Sequence, residues 1–286
     1  MTKSAVYHVG EFEITILSDG YTRMDGGAVF GLVPKVLWEP VVGTENIDAE
    51  NRVHQGLNCM LVRRGDDVLL IETGMGNKHN ETYRTKIFPG KYGSLLSELR
   101  EAGVEPSQVT AVANTHLHTD HCGWNTVEQD GKIVPTFPAA RYFMQTREYE
   151  DAMNPNDRTR ASYLPENIVP IEEAGQLELV DGERQIIPGV HFLPTPGHTE
   201  GHAAVVISSQ GETAICTGDI AHHEIQLERD AWISAFDVLP LVSLETKKTL
   251  AERAMRDNAL IVSVHNAFPG VGRLVEENGR RKFVAE

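Results

Sequence analysis

The pattern of apolar and polar positions predicts a chain built mainly from short β-strands. Residues 11–18 alternate between apolar and polar side chains, which is typical of a strand with one buried face. Two pairs of apolar runs flank short polar turns, which predicts hairpins. They are 59–63 with 67–71, turned at Gly65-Asp66, and 203–208 with 213–217, turned at Gln210-Gly211. Further strands are predicted at 109–115, 176–180, 184–193 and 260–266.

Helical spacing of apolar residues appears in three segments. In residues 93–103, three leucines share one face, Ser94 is a candidate N-cap and Gly103 is a candidate stop signal. Helices are also predicted at 145–153 and 243–257. The interleaved order of strands and helices favours two packed sheets with helices outside. We therefore expect an α+β protein, a four-layer αββα sandwich that forms a single domain over residues 1–286.

Two long segments show no regular pattern. Residues 19–56 are rich in Gly, Pro and apolar side chains, and residues 154–170 begin with several Pro and Asn. Loops of this length inside a compact domain are usually functional or disordered.

Composition and charge narrow the classes of function. The 286 residues are 41% hydrophobic and 23% charged, as in ordinary globular proteins, with a formal net charge of −15. Affinity for nucleic acid comes from clustered Lys and Arg, so we expect no nucleic-acid partner. No stretch approaches the roughly 20 apolar residues of a membrane span, and the first residues lack a signal-peptide pattern. Cys59, Cys122 and Cys216 are expected to be unpaired thiols, so the sequence predicts a cytoplasmic protein without membrane contact.

Four potential metal ligands follow the predicted strand 109–115. His116, His118, Asp120 and His121 fall within six residues, a density that packing does not explain. On a helix, His116 and His118 would diverge by about 200°, so their spacing fits a strand end and a turn instead. Two adjacent metals fit this run better than one.

Three further candidates lie at the ends of other predicted strands. His198 lies in a Pro- and Gly-rich loop, Asp219 follows the second hairpin after Gly218, and His265 ends the last apolar strand. A rigid sheet holds strand-end side chains with the precision that metal coordination needs. The seven side chains suffice for two metals if the Asp219 carboxylate bridges them.

The motifs that contain these residues resemble those of the metallo-β-lactamase superfamily. They are the His-x-His-x-Asp-His run, the Gly-His-Thr-x-Gly-His segment that begins at Gly197, the Thr-Gly-Asp that ends at Asp219, and His265. The resemblance spans roughly residues 12–268. Within the superfamily, the segments 25–38, 51–52 and 58–62 are similar to quorum-quenching N-acyl homoserine lactonases and related organophosphate hydrolases.

This resemblance implies a dinuclear metallohydrolase that opens a lactone ester bond, as in N-acyl homoserine lactones, by attack of a metal-bridging hydroxide. It implies two divalent metal ions, with zinc expected and manganese, iron or cobalt as alternatives, and no organic cofactor. The family pattern assigns one metal to His116, His118 and His198, the other to Asp120, His121 and His265, and shares Asp219 between them. Asp120 would also pass a proton to the leaving alkoxide. The expected partner is a small-molecule lactone or ester, and a homodimer is favoured.

Two positions depart from the lactonase pattern. Glu72 stands where these relatives commonly carry Asp, and a supporting role is expected for the longer acid. His222 stands where the lactonases have a Tyr that contacts the substrate carbonyl, so we expect His222 to act as a catalytic, substrate-contacting residue. Together with Phe30, Leu32 and Trp38 it would form the substrate pocket. These apolar residues have two alternative interpretations, a cap on the core or a dimer contact.

Several alternatives remain open from the sequence. The same centre suits organophosphate triester hydrolysis, and an iron-dependent oxidoreductase or a non-catalytic binding protein can share such a scaffold. His202 is either a ligand or, as the family pattern favours, a structural histidine. Cys122 lies beside the ligands but is interpreted as a structural thiol.

Overall fold

The computed structural model describes residues 5–286 and divides most of the strands between two large sheets. The strands are β1 (Ala5–Val9), β2 (Phe12–Asp25), β3 (Arg52–Arg64), β4 (Asp67–Ile71), β5 (Gly90–Tyr92), β6 (Ala111–Ala113), β7 (Thr126–Gln129), β8 (Lys132–Pro135), β9 (Arg141–Gln145), β10 (Leu177–Val180), β11 (Gln185–Ile187), β12 (Val190–Pro194), β13 (Ala203–Ser209), β14 (Glu212–Cys216), β15 (Leu260–Val262), β16 (Val271–Glu277) and β17 (Arg280–Ala285). The helices are α1 (Gly26–Phe30), α2 (Lys35–Val42), α3 (Leu95–Glu101), α4 (Thr119–Cys122), α5 (Thr146–Met153), α6 (Val169–Glu173), α7 (Ile225–Glu228) and α8 (Pro240–Arg256), with a π-helical turn at Tyr83–Ile87.

The first sheet has the order β1-β2-β3-β4-β6-β9-β10, and β5 pairs with β2. The second sheet has the order β11-β12-β13-β14-β15-β16-β17, and β7 with β8 forms a separate hairpin. The neighbours β4, β6, β9 and β10 are parallel, as are β14 and β15. Parallel neighbours bring their carboxyl ends to one edge of a sheet, which is where side chains from different strands can meet.

The side chains of the central strands alternate between two buried surfaces. In β3, Met60 and Val62 face the second sheet, whereas Cys59 and Leu61 face the helices. The second sheet behaves in the same way, since Val205 lies between the sheets and Val206 packs towards α8. Both faces of each sheet are therefore covered, which explains why these strands read as continuous apolar runs.

Four layers result from this packing. The core between the sheets joins residues of β2, β3 and β4 to residues of β12, β13 and β14. Helices α3, α5 and α6 cover the outer face of the first sheet, and α7 and α8 cover the outer face of the second. The predicted αββα sandwich is confirmed. No helix among residues 5–286 combines the length and apolar character needed to cross a bilayer.

The predicted elements are present but several differ in extent, and the strands predicted at 109–115 and 260–266 are shorter, at Ala111–Ala113 and Leu260–Val262. Both hairpins are confirmed, but residues 184–193 form two strands, β11 and β12, around a turn at Gly189 rather than one. The irregular segment 19–56 contains the end of β2, α1, α2 and the start of β3. Helix α8 begins three residues earlier than predicted, at Pro240. Ser94 occupies the N-cap position of α3, but its hydroxyl donates to the Ser18 carbonyl and caps nothing.

The Asp19 carboxylate, and not Ser94, accepts a hydrogen bond from the first backbone N–H of α3, that of Leu95. This side chain is fully buried and accepts four hydrogen bonds, from the N–H groups of Leu95, Met75, Gly76 and the Trp124 indole, at 2.8–3.1 Å. Burial raises the pKa of Asp19 to about 6, and the four donors oppose that shift. Asp19 therefore joins β2, the 74–76 loop, α3 and the segment after α4.

We expect Asp19→Ala to lower the free energy of unfolding by at least about 3 kcal/mol, since each buried donor left without a partner costs about 1–3 kcal/mol. Urea unfolding followed by tryptophan fluorescence measures the change. Asp66→Ala, at the exposed turn between β3 and β4, is the matched control and should shift the midpoint little. Equal stability of the two variants would show that the Asp19 network contributes nothing.

Candidate metal centre

The seven predicted ligands converge at one edge of the sandwich. The run from His116 follows β6, while His198, Asp219 and His265 follow β12, β14 and β15. Backbone hydrogen bonds hold the two sheets together at this edge, from the Ala203 N–H to the Thr115 carbonyl and from the Gly56 N–H to the His265 carbonyl. The ligand-bearing loops therefore start from a rigid frame.

His116, His118 and His198 form one cluster. The Nδ1 atom of His118 lies 3.0 Å from Nε2 of His198, and the His116 ring centre lies 4.6 and 4.8 Å from those of His118 and His198. One ring nitrogen from each lies within 4.8 Å of the other two, a spacing compatible with a single cation.

Asp120, His121 and His265 form a second cluster beside the first. The Oδ2 atom of Asp120 lies 4.0 Å from Nε2 of His121 and 3.7 Å from Nε2 of His265. These three ligand atoms also lie within 4.8 Å of one another, and all three residues are buried.

Asp219 lies between the two clusters and directs one oxygen to each. Its Oδ1 is 3.1 Å from Nε2 of both His121 and His265. Its Oδ2 is 3.5 Å from Nε2 of His198 and 3.9 Å from Nε2 of His116. The Asp219 carboxylate therefore contacts the side chains of both clusters.

Several polar atoms in the centre are buried and have no hydrogen-bond partner among residues 5–286. They are Nε2 of His116, His121 and His265 and Oδ1 of Asp219. Buried polar atoms are nearly always hydrogen-bonded, so a convergent group of exceptions requires an explanation. Imidazole nitrogens and carboxylate oxygens are ligands that zinc and related divalent cations accept, and the residues fit such ions.

The outer nitrogens of four imidazoles are anchored. Nδ1 of His121 lies 3.1 Å from Oε1 of Glu72, and Nδ1 of His198 lies 3.1 Å from Oδ1 of Asp237. The other two are His265, whose Nδ1 lies 2.9 Å from the Gly56 carbonyl, and His116, whose Nδ1 lies 3.1 Å from the Thr115 hydroxyl. Such contacts fix the tautomer and point Nε2 inwards. Glu72 thus has the supporting position that the sequence predicts.

Burial and charge set the protonation states of the centre. Burial lowers the pKa of His116 and of His118 well below the usual range, and the neighbouring imidazoles add to this. Burial acts in the same direction on His121, but the surrounding carboxylates, with Asp219 foremost, raise its pKa well above the usual value. Burial opposes ionisation of Asp219, yet the imidazoles around it hold its pKa well below the usual range. The centre therefore surrounds an ionised carboxylate with imidazoles, an arrangement suited to divalent cations.

His202 lies outside the ligand set. Its Nδ1 is 2.8 Å from the Thr195 hydroxyl, and its Nε2 accepts the backbone N–H of Asp219 at 3.0 Å. Both nitrogens are thus engaged, and burial lowers the pKa of His202 to about 3. His202 therefore has the position of a structural histidine rather than a ligand.

Cys122 is also buried, with its thiol directed to the Leu117 carbonyl, and all three cysteines are unpaired.

A cavity of about 250 Å³ opens onto the centre. Four of its lining residues have ionisable side chains: His118, Asp120, Asp219 and His222. Nε2 of His222 lies 3.2 Å from Oδ2 of Asp219. The remaining wall is part polar and part apolar, with Thr119, Arg158, Thr159, Ser162, Met24, Phe88, Ala235, Phe236 and Val238. The cavity thus combines reactive groups with an amphipathic lining.

The structure does not bring Phe30, Leu32 or Trp38 to this cavity. Phe30 and Trp38 are buried and stacked on each other, with ring centres 5.0 Å apart, so they cap the core. Leu32 is 102% exposed. Of the four predicted pocket residues, only His222 lines the cavity, and the dimer contact suggested for the apolar segment stays a prediction.

Sequence reasoning missed several residues around the centre. Asp237 anchors His198 but lies in an irregular segment with no strand end or motif to mark it. Met24 and Phe88 enter the cavity from the end of β2 and from a loop far away in the sequence.

Comparisons with known proteins agree with this geometry. The chain is 26% identical over 221 residues to the N-acyl homoserine lactonase of Bacillus thuringiensis, covering 73% of this chain and 80% of the relative. A probable metal-dependent hydrolase from Staphylococcus aureus superimposes with a TM-score of 0.87 at 25% identity, covering 98% of this chain and 99% of the other. AidC, a dizinc quorum-quenching lactonase solved with the product N-hexanoyl-L-homoserine, has a TM-score of 0.82 at 23% identity over 99% and 97% of the two chains, which shows a shared fold.

The family match covers most of the chain. Residues 55–265 match the family described as the metallo-beta-lactamase superfamily, and this range includes every candidate ligand. The chain is a metal-dependent hydrolase that belongs to the metallo-beta-lactamase superfamily.

Proposed function

We propose that this hydrolase opens the ring of lactones, with N-acyl homoserine lactones as its substrate class. The observation that carries the proposal is the amphipathic cavity directly above the paired ligand clusters. Its carboxylates and imidazoles face the position of a reacting ester, and its apolar wall suits an acyl chain. The likeness to a relative named as an N-acyl homoserine lactonase supports the same substrate class.

The ligand assignment is also a proposal. Two divalent cations would be held by the two clusters, one by His116, His118 and His198, the other by Asp120, His121 and His265, with Asp219 shared. When bound, such cations lower the pKa of a coordinated water from 15.7 towards about 7 and polarise the carbonyl oxygen.

Asp120 is placed to handle a proton. Its carboxylate lines the cavity, and its Oδ2 lies 3.7 Å from Nε2 of His265 in the same cluster. As water attacks the carbonyl carbon, Asp120 accepts the proton released, and it returns that proton to the ring oxygen as the ester C–O bond breaks. The product is an open-chain hydroxy acid.

His222 is placed to orient the substrate. Its ring lines the cavity, and its Nδ1 makes no hydrogen bond within residues 5–286, in contrast to the anchored imidazoles. The residue itself is held in place. Its backbone N–H donates to Oε1 of Gln226, and its ring stacks on His265 with ring centres 5.6 Å apart. The proton on Nε2 of His222 faces Oδ2 of Asp219, 3.2 Å away, and becomes available to a substrate oxygen when bound cations engage that carboxylate.

We expect His222→Ala to lower kcat/KM for lactones by about 10- to 100-fold, the loss of about 1.5–3 kcal/mol for one hydrogen bond to a charged group. Metal affinity should change little, and His222→Tyr should restore much of the activity. Steady-state kinetics and chelator competition measure the two quantities. The neighbouring His223→Gln, outside the cavity, is the control. A parallel loss of metal from His222→Ala would make His222 a ligand instead.

The proposal itself is tested by ring opening of homoserine lactones with graded acyl length, followed by pH-stat titration of the acid released. We expect turnover that varies with chain length, because Met24, Phe88 and Phe236 provide apolar contact. No turnover with any lactone would exclude this function while leaving the fold unaffected. A phosphate triester assayed alongside tests the organophosphatase alternative.

A further inference from the structure

Glu148, on α5, is a fully buried acid outside the proposed ligand set. Its Oε1 accepts the Leu117 N–H at 2.9 Å and the Tyr163 hydroxyl at 3.1 Å, and its Oε2 accepts the Thr199 hydroxyl at 2.5 Å. A buried carboxylate persists when its oxygens are satisfied in this way, because an unpaired buried charge is very costly. The positions of its partners indicate the role of this buried carboxylate.

Each partner of Glu148 belongs to the neighbourhood of the three-histidine cluster. Leu117 lies between His116 and His118 in the chain, and Thr199 directly follows His198. The Tyr163 ring packs against His118 with ring centres 5.0 Å apart. Glu148 therefore holds, through a single carboxylate, the two chain segments that carry these histidines.

The loop after His198 is also pressed against α5. A Cβ atom on Gly201 would lie 2.2 Å from the Glu148 backbone nitrogen, so only glycine permits this approach. The close packing leaves the carboxylate little freedom, and a shift of Glu148 would move the Thr199 segment with it.

The second cluster has separate supports. His121 is anchored by Glu72, and His265 by the Gly56 carbonyl. Within residues 5–286, Glu148 makes no hydrogen bond to Asp120, His121 or His265. Glu148 thus supports the three-histidine cluster and not the second cluster.

We propose that Glu148 is a positioning residue that sets the spacing of His118 and His198, and that it determines metal affinity at the three-histidine site selectively. The inference rests on the ligand assignment proposed above. Residues that orient metal ligands typically contribute 10- to 100-fold to metal affinity, so we expect a loss in that range.

The test measures Zn²⁺ affinity by competition with a chromophoric chelator in two backgrounds. His265→Ala leaves only the three-histidine site complete, and His198→Ala leaves only the second site complete. In the first background, adding Glu148→Gln should weaken Zn²⁺ binding about 10- to 100-fold. In the second background it should change affinity by less than about threefold. Co²⁺ absorption spectra in the first background should also change with the altered ligand geometry.

Two further variants keep the result decisive. Glu150→Gln, on the exposed side of the same helix, should leave both affinities unchanged. Thr199→Val removes one hydrogen bond to Glu148 and should reproduce the selective loss at smaller size even if Glu148→Gln folds poorly. Equal losses in both backgrounds, or no loss from either variant, would overturn the inference. Failure of the unaltered chain to bind Zn²⁺ would contradict the proposed centre instead.

Discussion

Asp219→Ala is expected to lower kcat/KM for lactone hydrolysis by at least about a thousandfold. Asp219 directs one oxygen to each ligand cluster, at 3.1 Å from His121 and His265 and at 3.5 Å from His198. Its loss removes the shared ligand and the negative charge that offsets two cations. Metal ions supply several kcal/mol of transition-state stabilisation, and about 4 kcal/mol corresponds to a factor near a thousand.

Two measurements distinguish this effect from unfolding. Metal analysis after gel filtration should show that Asp219→Ala retains fewer ions, and far-UV circular dichroism should match the unaltered chain. Asp157→Asn is the matched control, because its carboxylate is 97% exposed and forms a surface ion pair with Arg160. If Asp219→Ala kept both its metals and its rate, the bridging role would be wrong.

Asp120→Asn is expected to lower kcat by about 10²- to 10⁴-fold for lactones, the range that general acid–base catalysis typically contributes. The amide cannot accept the proton from the attacking water or return it to the ring oxygen. It can still offer an oxygen to the second cluster, so loss of metal should be smaller than with Asp219→Ala.

Substrates with different leaving groups distinguish the proton-transfer role of Asp120 from its role as a metal ligand. An alkoxide needs the returned proton, whereas a nitrophenolate leaves without it. Asp120→Asn should therefore lose less rate with a nitrophenyl ester than with a lactone, measured at saturating metal. An equal loss with both substrates would show that Asp120 does not protonate the leaving group.

The sequence identifies the seven candidate ligands that the structure brings together, and it does so for a physical reason. Each ligand follows an apolar strand, and the sheets bring those strand ends to one edge, so a local pattern suffices to find residues such as His198 and His265. Glu72 also directly follows β4, but the resemblance to the lactonase pattern, rather than the strand end, predicts its supporting role.

The supports and the pocket depend on contacts between distant segments. Glu148 lies in a charged helix that reads as exposed, and Asp237 lies in an irregular segment, yet both are buried against loops that carry histidines. Phe30 and Trp38 are apolar and lie within the lactonase-like segment 25–38, but in the structure they are buried and stack on each other. Apolar character alone does not distinguish a pocket wall from a core contact.

Chelation and reconstitution test the central claim most directly. Metal content and the rate of N-acyl homoserine lactone opening are measured on the purified chain, after exhaustive chelation, and after addition of Zn²⁺ or Mn²⁺. The account predicts two divalent ions per chain, a fall in rate of at least about a thousandfold after chelation, and recovery as two equivalents are restored. Ring opening that persists in metal-free protein, or one iron per chain with consumption of oxygen and no hydrolysis, would contradict it.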